Sequence, residues 1–127
     1  DEASGYTPFN IYQNGATLFF YSSSAGVSWD IANAKTIGTV AIGTWYHWAV
    51  TRSGTTFRTY LGGVQGSTWT NSSRLMDGSR PLSIGDYQAG GQGFNGNIGP
   101  TRITKGVALY TGAGSFTPPS LPFPIGS

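Results

Sequence analysis

The chain of 127 residues contains no cysteine. A disulfide framework, thiolate catalysis and cysteine-ligated zinc are therefore excluded, while the compartment stays open. Charge is scarce as well: Asp, Glu, Lys and Arg make up 9% of the residues, against about 25% in ordinary soluble domains. Seven basic residues face five acidic ones for a net charge of +2. They are scattered, so no basic run exists to engage a nucleic acid. His47 is the one histidine; alone, it argues against both a zinc site and a Ser-His-Asp triad, and its place in a strand-like stretch suggests a structural hydrogen-bonding role. No stretch approaches the roughly 20 apolar residues of a membrane-spanning helix. No helical period is sustained, residues 105–110 having room for one turn at most. The chain opens on Asp1 with neither an initiator methionine nor a signal-peptide pattern, and reads as a piece of a longer protein.

What is plentiful is glycine, with 20 residues, and aromatic side chains, at 14%. That aromatic content, set in short apolar runs, argues against disorder. Solubility then has to come from Ser, Thr, Asn, Gln and Gly, the neutral polar surface common on secreted and virion proteins. The length suits one domain able to bury a core without staples.

Glycines falling between short apolar-aromatic runs predict an all-β sandwich or barrel. Strands are expected near 9–13, 17–22, 27–31, 35–41, 46–52, 56–61, 81–85 and 95–104. Turn signals separate them at Asn14-Gly15, Ser22-Ser23-Ser24-Ala25-Gly26, Ser53-Gly54, Gly62-Gly63, Asp77-Gly78 and Gly90-Gly91. The clearest hairpin has Tyr46, Trp48 and Val50 on one face of its first strand, and Phe57, Thr59 and Leu61 on one face of its second. Trp29, Trp45 and Trp48 lie in these strand-like stretches and are expected in the core. The proline-rich tail cannot be a central strand, because proline offers no ladder donor. It reads as a strap or linker over 112–127, pinned by Phe116, Leu121 and Phe123. Residues 1–124 form the single domain.

For sugar recognition the useful groups are aromatic faces, which pack on C–H groups, beside planar polar side chains. The stretch Ser67-Thr68-Trp69-Thr70-Asn71-Ser72-Ser73-Arg74-Leu75-Met76-Asp77 has that mixture and reads as a loop or irregular edge. Trp69, Asn71, Arg74 and Asp77, joined by Tyr87 with Gln88, are the candidate glycan contacts. The competing reading has Trp69 covering one edge of the core.

Three segments together resemble the laminin-G-like branch of the concanavalin A-like superfamily found in phage and bacterial surface proteins. They are Leu18-Phe19-Phe20-Tyr21-Ser22-Ser23-Ser24 followed by Ser28-Trp29-Asp30-Ile31; then Gly43-Thr44-Trp45-Tyr46-His47-Trp48-Ala49-Val50-Thr51-Arg52-Ser53-Gly54 through Thr59-Tyr60-Leu61-Gly62-Gly63-Val64; and Phe94-Asn95-Gly96-Asn97-Ile98, Arg102-Ile103-Thr104-Lys105-Gly106-Val107-Ala108-Leu109-Tyr110-Thr111 and Phe116-Thr117-Pro118-Pro119. The resemblance runs from about Phe9 to Phe123. It departs at Gly99-Pro100-Thr101, where relatives place an acidic pair, at Gly62-Gly63, where they place Asn-Gly, and in lacking the family's first strands. It implies a two-sheet antiparallel jelly-roll sandwich missing those strands, with Arg52 and Arg102 in structural hydrogen bonds to turn carbonyls.

The resemblance also raises glycoside hydrolysis, which some proteins of this fold perform. That chemistry needs two carboxylates flanking one bond. The acids here are Asp1, Glu2, Asp30, Asp77 and Asp86, and no two share a strand at alternate positions. No enzyme is expected, and no cofactor. Calcium at the sandwich rim is the one metal the family suggests, through Asp77 with Asn71 or Asp86 with Asn95, each site having a single carboxylate where calcium prefers several. The reading that follows is a non-catalytic structural or adhesive module of a larger assembly. It is a fibre, decoration or tail protein of a phage virion, with other virion or surface-protein subunits as partners and a homo-oligomer or larger assembly as the setting. The alternative is a module contacting a host or cell-surface glycan in a phage or secreted adhesin. The location is virion or extracellular, without nucleic-acid binding or membrane insertion.

Overall fold

The structure is a computed structural model that describes residues 5–86 and 93–120. Asp1, Glu2, Tyr87, Gln88, the Gly90-Gly91 turn, Leu121 and Phe123 lie outside the described residues. Six strands form, and no helix, among those described: β1 (Asn10–Asn14), β2 (Thr17–Ser22), β3 (Ala32–Thr39), β4 (Trp48–Ser53), β5 (Thr56–Leu61) and β6 (Val64–Thr70). They make two antiparallel three-stranded sheets, A in the order β1-β2-β3 and B in the order β4-β5-β6. The all-β, two-sheet architecture expected of a jelly-roll sandwich is present.

Sheet B is two consecutive hairpins. Each turn carries glycine where the backbone enters the left-handed region: Gly54 at φ 59°, then Gly62 and Gly63 at 59° and 81°. Two-residue hairpin turns need such angles to match the strand twist. Gly63 has a second constraint. The Phe116 N–H donates to its carbonyl at 2.9 Å, and a Cβ at Gly63 would overlap the Phe116 carbonyl oxygen.

The core lies between the sheets. Phe20, Ala32 and Ile37 from sheet A are buried against Val50, Leu61 and Trp69 from sheet B, with Ile11 and Leu18 beside them. A polar tie crosses the layers: the Thr36 carbonyl accepts from Thr59 Oγ1 at 2.7 Å and Ser67 Oγ at 2.9 Å, while Thr59 Oγ1 accepts from the Ser67 N–H at 2.7 Å. Thr59 is thereby satisfied although fully buried. Gly66 makes the approach possible, since a Cβ there would lie 2.5 Å from the Ile37 carbonyl oxygen and 2.8 Å from that of Thr36.

The far face of sheet B is partly covered by the 110–118 segment. Tyr110 and Phe116 stack at 3.8 Å, and both rings meet Tyr60 edge-on. Tyr60 Oη donates to the Gly112 carbonyl at 2.7 Å, and Thr51 Oγ1 to that of Tyr110 at 2.7 Å. Phe116 thus pins the tail to the body.

Several expected elements differ. Residues 27–31 are not a strand, because Asp30 folds back on Ser23 and Ser24 and closes a loop. Val64–Thr70, expected to end in a loop or irregular edge, is a full strand whose exposure alternates residue by residue. Residues 81–85 and 95–104 join no sheet, a stretch where Pro81, Gly85, Gly96, Gly99 and Pro100 interrupt any ladder. Trp45 and Trp48, expected in the core, are 70% and 38% exposed. Trp45 precedes β4 and Trp48 starts this edge strand. Trp29 does pack, between Tyr6 at 5.0 Å and Tyr21 at 5.3 Å.

Candidate functional site

Of the residues singled out for sugar recognition, Trp69, Asn71, Arg74 and Asp77 lie where β6 ends and the chain crosses the Ser23–Asp30 loop. Trp69 is on the inner face of β6. Its ring stacks on Phe57 at 5.1 Å, meets Phe20 at 6.1 Å and has the Lys35 ammonium 5.4 Å from its centroid. Its indole N–H donates to the Ile31 carbonyl at 2.9 Å. These are the contacts of a side chain tying the two sheets together.

Asn71 follows and is fully engaged. Its Nδ2 donates to the Asp30 carbonyl at 3.1 Å, its Oδ1 accepts from the Ser73 N–H at 2.8 Å, and its own N–H donates to the Thr55 carbonyl at 2.8 Å. Arg52 lies over Phe57 at 4.8 Å and donates to the carbonyls of Gly54 at 3.0 Å and Asn71 at 3.4 Å, the turn-carbonyl role expected of it. Around these groups Thr55, Thr70, Asn71, Ser72 and Ser73 line an open polar depression of about 410 Å³. Thr55 is an addition that the sequence pattern did not single out, while Thr70, Ser72 and Ser73 fall inside the stretch it marked. With β6 unrecognised as a strand, nothing placed the Gly54-Thr55 turn beside Thr70.

Arg74 and Asp77 form an ion pair at 3.2 Å with both side chains more than three-quarters exposed, a pair of little energetic weight. The structure does not bring them onto the depression's lining. Tyr87, the fifth candidate, is outside the described residues.

The carboxylate of Asp30 is held by the Ser24 hydroxyl and N–H and by Ser23 Oγ. Those hydrogen bonds, from the Ser24 hydroxyl first, lower its pKa from the ordinary aspartate value. An acid so stabilised as the anion is poorly suited to donating a proton. Among the described residues, no group of three or more His, Cys, Asp or Glu is placed to hold a metal. Asp77 and Asn71, and Asp86 and Asn95, remain candidate calcium ligands on sequence grounds alone.

His47 stands just before β4, edge-on to Tyr110 at 6.0 Å and Phe116 at 5.8 Å. Burial lowers its pKa, and the nearby charge of Arg102 lowers it further. The sign follows from linkage: an imidazole whose folded pKa is depressed stabilises the fold fully above its ordinary value of about 6.5, and that contribution falls away as pH drops toward the folded value. The thermal midpoint should therefore decrease between pH 7.5 and 5.5, and the slope should flatten in His47→Gln. An equal slope in the variant would assign the effect elsewhere. Asp30 titrates in a separate window below about pH 4, so the two contributions are distinguishable.

The family model described as the concanavalin A-like lectin/glucanases superfamily, of laminin-G type, matches residues 1–109. No curated protein and no solved structure matches the chain.

Proposed function

The chain belongs to the concanavalin A-like lectin/glucanases superfamily, and from that premise we propose that it is a non-catalytic adhesion module assembled with other copies of itself. Domains of this kind are of the carbohydrate-binding or adhesion type and generally lack catalysis, although some members are glycosidases. The observation that carries the assembly reading is the apolar surface left on the described residues 82–86 and 93–109. Leu82, Ile84, Phe94, Ile98, Ile103 and Val107 are exposed, the last two by 63% and 64%. Scattered exposed apolar residues need no explanation, but a run of this density is characteristic of surface that another subunit covers. The setting we infer is a phage virion, as a fibre, decoration or tail component. The resemblance of the Arg102–Pro119 segment to the closing signature of such proteins supports it, as does a cysteine-free, weakly charged composition.

Sedimentation velocity over a wide concentration range tests the assembly reading. Association that weakens at least tenfold in an Ile103→Asp, Val107→Asp double variant is the expected result. A chain that stays monomeric throughout, or a double variant that associates like the parent, rejects it.

A second reading, contact with a host or cell-surface glycan, is favoured by the depression lined by Thr55, Thr70, Asn71, Ser72 and Ser73. Hydroxyl and amide groups gathered on an open surface suit sugar hydroxyls.

A further inference from the structure

We propose that β1 pairs antiparallel with β1 of a second copy across a two-fold axis, joining two A sheets edge to edge. This rests on the self-assembly reading and names one contact for it, on a surface separate from residues 82–86 and 93–109. β1 is an outermost strand of sheet A. Register decides which of its backbone groups face outward. The Val40 N–H donates to the Ala16 carbonyl at 2.8 Å, so Ala16 and Leu18 bond toward β3. Thr17, Phe19 and Tyr21 then bond toward β1, where they oppose Asn14, Tyr12 and Asn10 in an unbroken register. Ile11 and Gln13 alternate with those three, so their N–H and C=O groups point away from β2. No backbone group outside the sheet ladder bonds to them among the described residues.

Outward N–H and C=O groups on an edge are a template for a further strand, and proteins usually blunt such an edge with charge, proline or a bulge. The other three edges are blunted. The β2–β3 ladder has register shifts, and β3 carries Lys35 and holds Ala34 at φ 48°. The β5–β6 ladder has a register shift, and β6 contains Gly66. β4 carries Arg52, and its Thr51 is tied to the Tyr110 carbonyl. β1, Asn-Ile-Tyr-Gln-Asn, has neither charge nor proline and its ladder is regular.

The same geometry selects the partner. Two copies of β1 use all their outward groups in the register that sets Ile11 opposite Gln13 of the second copy, and by symmetry Gln13 opposite Ile11. Tyr12 then meets its own copy at the axis, and Asn10 meets Asn14. These three side chains share the face away from the core, because Ile11 packs against it. Tyr12 is 43% exposed. Its pair makes no backbone bonds in the new ladder, so the two Cα atoms come to about 4.5 Å. Facing aromatics stabilise such a pair, and facing asparagine amides offer each other donors and acceptors. An unrelated strand would satisfy the backbone groups as well; the side-chain match on both sides of Tyr12 favours a second β1.

Because the chain has no cysteine, a single introduced one reports the contact. Tyr12→Cys sets two thiols across the axis, within the Cα separation of about 4.4–6.8 Å that a disulfide spans. Gln13→Cys sets them diagonally, about 7–8 Å apart. Under mild oxidation of the folded chain, Tyr12→Cys should form disulfide dimer at least about tenfold faster than Gln13→Cys. Adding Gln13→Pro to Tyr12→Cys should abolish the advantage, since proline deletes an outward N–H and spares the β1–β2 ladder. Adding Asn10→Lys with Asn14→Lys, which sets like charges opposite each other, should do the same and covers the case in which the proline variant unfolds. The preference for position 12 should persist in the Ile103→Asp, Val107→Asp background. Equal rates at the two positions, indifference to the lysine pair, or loss of the preference in that background would overturn the β1 contact. If concentration-dependent sedimentation survives such a result, the assembly reading stands without it. A chain that neither cross-links selectively nor associates loses both.

Discussion

Trp69→Ala should destabilise the protein by about 3–5 kcal/mol, the range for removing a large aromatic side chain from a core. Total stability for a domain of this size is about 5–15 kcal/mol, so the variant should sit near the edge of folding. Three losses coincide at this side chain: the stacking on Phe57, the contact with Phe20 across the layers and the indole hydrogen bond to the Ile31 carbonyl. The last leaves a backbone acceptor without its donor. Denaturant unfolding followed by circular dichroism checks the size of the effect. The experiment also separates two roles for the residue. A tryptophan serving chiefly as a sugar platform would, on truncation, leave stability almost intact and remove binding. A well-folded Trp69→Ala that retains its unfolding midpoint would contradict the inter-sheet role described above.

Tyr60→Ala is expected to be comparably severe, about 3–5 kcal/mol, but to fail in a different place. Tyr60 is 1% exposed and carries the edge-on contacts to Tyr110 and Phe116 together with the hydrogen bond to Gly112. Truncating it should free the 110–118 segment first, so that limited proteolysis cuts there at denaturant concentrations where both sheets still resist. Tyr60→Phe keeps the rings packed and loses only the hydroxyl, at about 1 kcal/mol. Cleavage of Tyr60→Ala at the parental rate would mean that the segment is held by something other than this ring.

How much of this could be read from the chain depends on which forces leave a local trace. β2 and β5 have the bounds that the apolar runs indicated, because period-2 patterning reports directly on a half-buried strand. β6 is hard to see in the sequence since Gln65, Gly66 and Ser67 carry little strand propensity; Gly66 lets the sheets approach, a reason that exists only in three dimensions. Residues 27–31 looked like a strand because Val27, Trp29 and Ile31 alternate, but the Asp30 carboxylate binds Ser24 and bends the backbone out of the ladder. The candidate site was legible in part. Asn71 was found through its residue type, while Thr55 became visible only once the β4–β5 turn was seen beside the end of β6. The outward backbone groups of Ile11 and Gln13 had no motif at all, and they arise from register alone.

The segment carrying the tyrosine and phenylalanine that close over sheet B bonds to strand residues 50 or more positions earlier, as in the Thr51 to Tyr110 and Tyr60 to Gly112 bonds. Sheet B itself is built from neighbouring hairpins, whose loops close with little entropy. During synthesis, then, the hairpins can assemble while Tyr60 still faces solvent, and they wait for Phe116 to clear the ribosome tunnel before that face is sealed. A nascent chain stalled between the two events would leave the Tyr60 ring bare on the outer face of sheet B.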